Sequence, residues 1–139
     1  MSTALTTELR EGGIAIVTFD LVGETVNKLT RGVLEEFKAL LDRVDSDTTI
    51  RAVVLISGKP DLFIAGADID GFLELRTAAE AEALSREGQE LMNRIEKVRA
   101  PVVFAIHGAC VGGGLEASLA AAYRIASDHP KTVLALPEV

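Results

Sequence analysis

Gly112, Gly113 and Gly114 stand in a row, and Glu116 follows two positions on. An apolar run, Val102 to Ile106, leads into them, and an alanine-rich segment, Leu115 to Tyr123, leads away. That order predicts a buried strand, a glycine turn and a helix. Bare amides at a helix start can donate to an oxygen that becomes negative, and the helix dipole favours a carboxylate in the first turn. Amide donors and a proton-carrying side chain therefore lie side by side.

The glycine run has three readings. A dinucleotide fingerprint needs Gly-x-Gly-x-x-Gly, and the register here does not supply it. A nucleotide phosphate loop needs Lys followed by Ser or Thr, and Leu115-Glu116 stands there instead. An oxyanion hole is the third reading, for which an adjacent acid is tolerable. The bland counterpart is that the glycines only let a helix pack closely on a sheet. Glu116 alone reads as a dipole partner. Its neighbours Leu115, Ala117, Leu119 and Ala120 make the helix apolar nearly all round, which predicts burial, and a carboxylate there is costly unless paired or used.

Other polar groups offer less. Asp68 and Asp70 follow Gly66, but no histidine or third carboxylate has ligand spacing with them, so a helix cap and a solvated acid are expected. His107 and His129 are the only histidines and show no zinc pattern. His107 ends the buried strand, where a hydrogen-bonded structural role is expected. No metal site is expected. No Gly-x-Ser-x-Gly elbow occurs. Glu80, Glu82, Glu87 and Glu90 read as a solvated helix face.

The elements that must position the glycines alternate. Residues 1–12 read as a polar lead-in, and Ile14 to Phe19 as a strand. Asp20 to Asn27 reads as a loop. From Thr30, the apolar residues Val33, Leu34, Phe37, Leu40, Leu41 and Val44 recur at helical spacing until Asp45 to Thr49. Ala52 to Ile56 is an unbroken apolar strand, expected to be covered on both faces. Gly58, Pro60 and Gly66 make the next stretch irregular, with a short helix expected over Ile69 to Leu75. Thr77 and Glu80 have capping-box spacing and open a longer helix, in which Gly88 is expected to permit close packing. Ser127 to Lys131 reads as a turn and Thr132 to Leu136 as a strand. The alternation predicts one α/β domain over residues 1–139.

Composition narrows the function. The net charge is −7 with no basic block, which argues against nucleic-acid binding through a basic stripe. Cys110 is the only cysteine, so no internal disulfide forms, and a cytoplasmic setting is expected. Neither a signal peptide nor a membrane span is expected. The chain closes at Glu138 and Val139 without a terminal helix, as though the domain were cut.

Two stretches, Phe63 to Ile69 (FIAGADI) and Ile106 to Ser127 (IHGACVGGGLEASLAAAYRIAS), with the ending Lys131 to Val139 (KTVLALPEV), resemble the crotonase (enoyl-CoA hydratase/isomerase) superfamily. Within it they are similar to the N-terminal hydratase region of multifunctional fatty-acid oxidation enzymes. The resemblance implies a spiral of ββα turns, of which these residues would be the first part, and a homo-oligomer. It implies an acyl-CoA thioester as substrate and no cofactor. NAD would serve only a downstream dehydrogenase domain, and a thiolase subunit would accompany the longer enzyme. In the matching motifs the amides of Ala67 and Gly113 would form an oxyanion hole. Glu116 and Glu138 would be the catalytic pair. Ala65, Gly66, Asp68 and Gly112 would border the CoA thioester. The implied reaction is addition of water to a trans-2-enoyl-CoA. The alternatives are Δ3-Δ2 isomerisation, or a non-catalytic piece that self-associates and at most binds CoA thioesters. His107 stands where many hydratases carry Asn, and Glu24 where a lysine is common; Lys28, Arg31 and Lys59 are the candidate cations for CoA phosphates.

Overall fold

A computed structural model describes residues 3–139. The chain repeats a β-β-α unit. The first unit is β1 (Leu5–Arg10), β2 (Ile14–Phe19) and α1 (Arg31–Ser46). The second is β3 (Ala52–Ser57), β4 (Leu62–Ile64), the short α2 (Ile69–Phe72) and α3 (Ala78–Lys97). The third is β5 (Val102–Ile106), β6 (Ala109–Val111) and α4 (Gly113–Ala120), and β7 (Tyr123–Ala126) and β8 (Val133–Ala135) follow. The first strands of successive units build a five-stranded sheet in the order β1-β2-β3-β5-β7, parallel except for the β1–β2 hairpin. The second strands build a parallel three-stranded sheet, β4-β6-β8.

Local chemistry accounts for the helices. Thr30 caps α1 by accepting from the Val33 N–H, and Val33, Leu34, Phe37, Leu41 and Val44 face the core. Arg99 closes the far end, donating from Nη2 to the carbonyls of Val44, Asp47 and Ile50. Thr77 and Glu80 form the full capping box of α3. Phe19 meets Phe37 edge-on at 5.9 Å between sheet and helix, and Phe63 of β4 meets Phe104 of β5 at 5.7 Å, which ties the two sheets together. No helix among the described residues is long and apolar enough to cross a membrane.

Several expectations are corrected. The lead-in contains β1, a mostly exposed edge strand held by its full antiparallel register with β2 rather than by burial. The irregular stretch contains β4, and the glycine motif is preceded by β6; at three residues each, neither displays a readable period. The Glu116 helix ends at Ala120, and Tyr123 to Ala126 extends as β7 to pair with β5. β3 alternates buried and half-buried residues, so one face is less covered than its composition suggests. Nothing lies within 4 Å of the Cβ position of Gly88, so that glycine permits no close packing. Asp68 stands at the cap of α2 but makes no side-chain cap bond, and α2 ends at Phe72.

Candidate active site

The three parallel strands of the small sheet end on one spot. β4 runs into Ala65–Ala67, β6 into Gly112–Gly113, and β8 into the turn that carries Glu138. The Gly112 N–H donates to the Ala135 carbonyl at 3.0 Å, which draws the end of β8 against the glycines. Gly112 has φ +54° and ψ −128°, a conformation open to glycine and strained for any side chain. A Cβ there would collide with Oε1 of Glu138.

Gly113 begins α4, and a Cβ on it would lie 3.6 Å from the Ala67 nitrogen and 3.7 Å from Oε2 of Glu116. The carboxylates of Glu138 and Glu116 thus flank consecutive α-carbons, with the Ala67 amide beside them. Among the described residues, neither the Ala67 nor the Gly113 N–H has a hydrogen-bond acceptor. Gly66 backs this arrangement, its Cβ position 3.8 Å from the Gly113 nitrogen. Of the other residues singled out, Gly112 faces Glu138 and Gly66 faces Gly113, while Ala65 is tied through its N–H to the Asn27 carbonyl and Asp68 is paired with Lys28. Gly114 differs. Its Cβ would fall 2.7 Å from Cβ of Ile64, so this glycine does serve helix-on-sheet packing. The packing reading of the glycine run therefore applies at Gly114, while Gly113 has an amide without an acceptor.

Glu116 is exposed, contrary to the burial expected of its helix. α4 buries Gly113, Gly114, Ala117 and Ser118 against β4, β6 and α3, while Leu119 on its other side is 58% exposed. Composition could not show this, because the helix is apolar on both sides and only one is covered. Arg124 holds its end, donating to the carbonyls of Ser118 and Ala121 at 2.9 and 3.0 Å.

Asn27 carries no chemistry that its loop position announces, yet it organises the site. Fully buried, it donates from Nδ2 to the Phe19 carbonyl (2.8 Å), Ser57 Oγ (3.0 Å) and the Phe63 carbonyl (3.2 Å). Its Oδ1 accepts from the Leu21 N–H, and its carbonyl from the Ala65 N–H, both at 2.8–2.9 Å. The Leu29 N–H continues the tie by donating to the Gly66 carbonyl at 2.8 Å. The only signal in the sequence is an amide side chain at the end of a loop. Two of the candidate cations are engaged nearby. Lys59 donates to the Leu21 and Glu24 carbonyls and pairs with Asp20 at 2.6 Å. Lys28 pairs with Asp68 at 3.0 Å, and that carboxylate holds the ammonium pKa above its ordinary value.

Residues 9–139 match the enoyl-CoA hydratase/isomerase family. An enoyl-CoA hydratase from Bacillus anthracis superposes with a TM-score of 0.88 at 25% identity, over 98% of this chain and 51% of that one. Pseudomonas aeruginosa DspI superposes with 0.85 at 31% identity, over 99% and 54%. The chain is 48% identical over 136 residues to the fatty acid oxidation complex subunit alpha of Idiomarina loihiensis, covering 98% of itself and 19% of that protein. It belongs to the enoyl-CoA hydratase/isomerase (crotonase) family, has that family's α/β fold, and spans about half the length of the solved relatives it matches.

Proposed function

We propose that the chain binds a trans-2-enoyl-CoA and adds water across its 2,3 double bond, as the hydratase part of a fatty-acid oxidation enzyme. The observation that carries this reading is the pair of carboxylates on either side of Gly112–Gly113, next to two amides without acceptors. The thioester oxygen accepts from Ala67 and Gly113, so electron density can move onto it. Glu116, ionised, takes a proton from a water whose oxygen bonds to C3. The π electrons shift through C2 to the thioester oxygen. Glu138, protonated, then delivers its proton to C2 as the carbonyl re-forms. One carboxylate gains a proton and the other loses one, so the pair returns to its starting state by a single proton exchange. No redox cofactor enters this balance.

Loss of the enoyl-thioester ultraviolet band during incubation with crotonyl-CoA measures the reaction. Glu116→Gln and Glu138→Gln keep size and hydrogen-bonding capacity but cannot carry the proton. Each is expected to slow hydration at least about 100-fold. Their combination is expected to cost much less than the product, since the two act as one unit. Near-normal turnover by either variant overturns the two-glutamate mechanism. A wild-type chain that binds acetyl-CoA but leaves crotonyl-CoA unchanged supports the binding-only reading, and conversion of 3-enoyl to 2-enoyl-CoA without hydration supports isomerisation.

A further inference from the structure

The opposite edge of the small sheet carries a second constellation. The connections leading into β4, β6 and β8 each contribute one residue: Asp61 directly before β4, His107 two residues before β6, and His129 four residues before β8. One ligand atom from each lies within 4.8 Å of the other two. His107 Nε2 is 3.1 Å from Asp61 Oδ1, and His129 Nδ1 is 4.0 Å from the same oxygen. Around a tetrahedral ion with bonds of about 2.0–2.2 Å, ligand atoms stand about 3.3–3.6 Å apart.

The surroundings suit a bound cation. His107 Nδ1 is 3.0 Å from Ser127 Oγ, an outer partner that orients the ring and leaves Nε2 toward Asp61. Ser127 Oγ lies 2.7 Å from Thr132 Oγ1, which accepts from the Gly108 N–H at 2.9 Å, so the ring is braced from β8's side. Gly108 has φ +83°, and its bare α-carbon lets the backbone press against Asp61–Leu62, which brings His107 to the carboxylate. Two groups compete with a cation. The Lys131 N–H donates to His129 Nδ1 at 3.3 Å, a long contact that the ion would replace, and Lys131 Nζ sits 2.8 Å from Asp61 Oδ2, the oxygen not facing the histidines, on a side chain that is largely exposed and free to swing out.

We propose that Asp61, His107 and His129 form a binding site for a divalent transition ion, Zn²⁺ foremost, that joins the leading ends of β4, β6 and β8. Two imidazole nitrogens and one carboxylate oxygen suit a borderline ion of this kind, with water completing the shell. The site lies one strand length, about 10 Å for three residues, from the carboxylate–amide cluster at the trailing ends. It therefore fixes the registry of the sheet that positions those groups without touching their chemistry.

Calorimetric titration of the chain with Zn²⁺ in chelator-free buffer tests this, with Co²⁺ absorption as a report on coordination. The expected result is one ion per chain and a visible tetrahedral Co²⁺ spectrum. His129→Ala removes a ligand whose hydrogen bonding is a 3.3 Å contact from the Lys131 N–H, so the fold tolerates it. It is expected to weaken binding at least about tenfold, as loss of even an outer partner does. Lys131→Met removes the competing charge and is expected to tighten binding severalfold. Unchanged Zn²⁺ affinity in His129→Ala, or no gain in Lys131→Met, overturns the site.

Discussion

Three adjacent glycines divide into two roles, and single methyl groups separate them. Gly113→Ala meets only the end of Leu29, at 3.3 Å, and otherwise enters the space between the Ala67 nitrogen and the Glu116 carboxylate. In the proposed mechanism the methyl stands where the thioester oxygen approaches, so the variant is expected to fold with near-normal stability but to lose hydration. Gly114→Ala drives a methyl into the backbone and side chain of Ile64. It is expected to lose about 1–3 kcal/mol of stability, the scale of core overpacking. Urea unfolding alongside turnover per folded molecule checks both, and the reverse pattern would remove Gly113 from the site. Cys110 belongs to the packing as well. Burial pushes its thiol up to about 11, against a smaller opposing effect of Ser118. It is expected to resist thiol reagents at neutral pH until the chain unfolds, which a labelling time course in urea reads directly.

Among the elements, α3 stands or falls by its first turn. Thr77→Ala removes the bond to the Glu80 N–H and is expected to cost about 1 kcal/mol, seen as a lower urea midpoint with unchanged slope. Glu80 accepts from the Arg76 and Thr77 amides, which holds its carboxyl below the ordinary 4.5. A depressed folded-state pKa gives stability that is present above about pH 4.5 and fades as pH falls through the lower folded value. In Glu80→Gln that part of the acid dependence is expected to disappear. The helices were legible because caps and apolar spacing act within a turn or two. β4 and β6 were hidden because three residues carry no period and their pairing partners are far away in sequence, whereas β8 falls inside the strand read over Thr132 to Leu136.

At the scale of the whole molecule, large apolar side chains remain exposed among the last elements of the chain. Leu119 of α4, Tyr123 and Ile125 of β7 and Leu134 of β8 are all exposed, Tyr123 to 72%. Exposed large apolar side chains favour association. The chain is expected to pair with further copies of itself at micromolar concentration, with a scattering mass above the 14.7 kDa of one chain. A monodisperse monomer with a sharp cooperative melt would count against this. Charged substitutions at Ile125 and Leu134 are expected to lower the mass without altering secondary structure.

Sequence alone determined the α/β alternation, the caps of α1 and α3, and the strand–glycine–helix segment with Glu116 in its first turn. Each depends on residues a few positions apart, where propensity and hydrogen-bonding reach suffice. Tertiary structure decided what those segments meet. Glu138 comes against Gly112 only because β8 pairs with β6, and Ala67 reaches Gly113 only because β4 pairs with β6 on the other side. The same pairings gather Asp61, His107 and His129, whose spacing in the chain shows no ligand pattern. Strand pairing is a long-range choice among backbones that offer the same donors and acceptors, so no short window of sequence contains it.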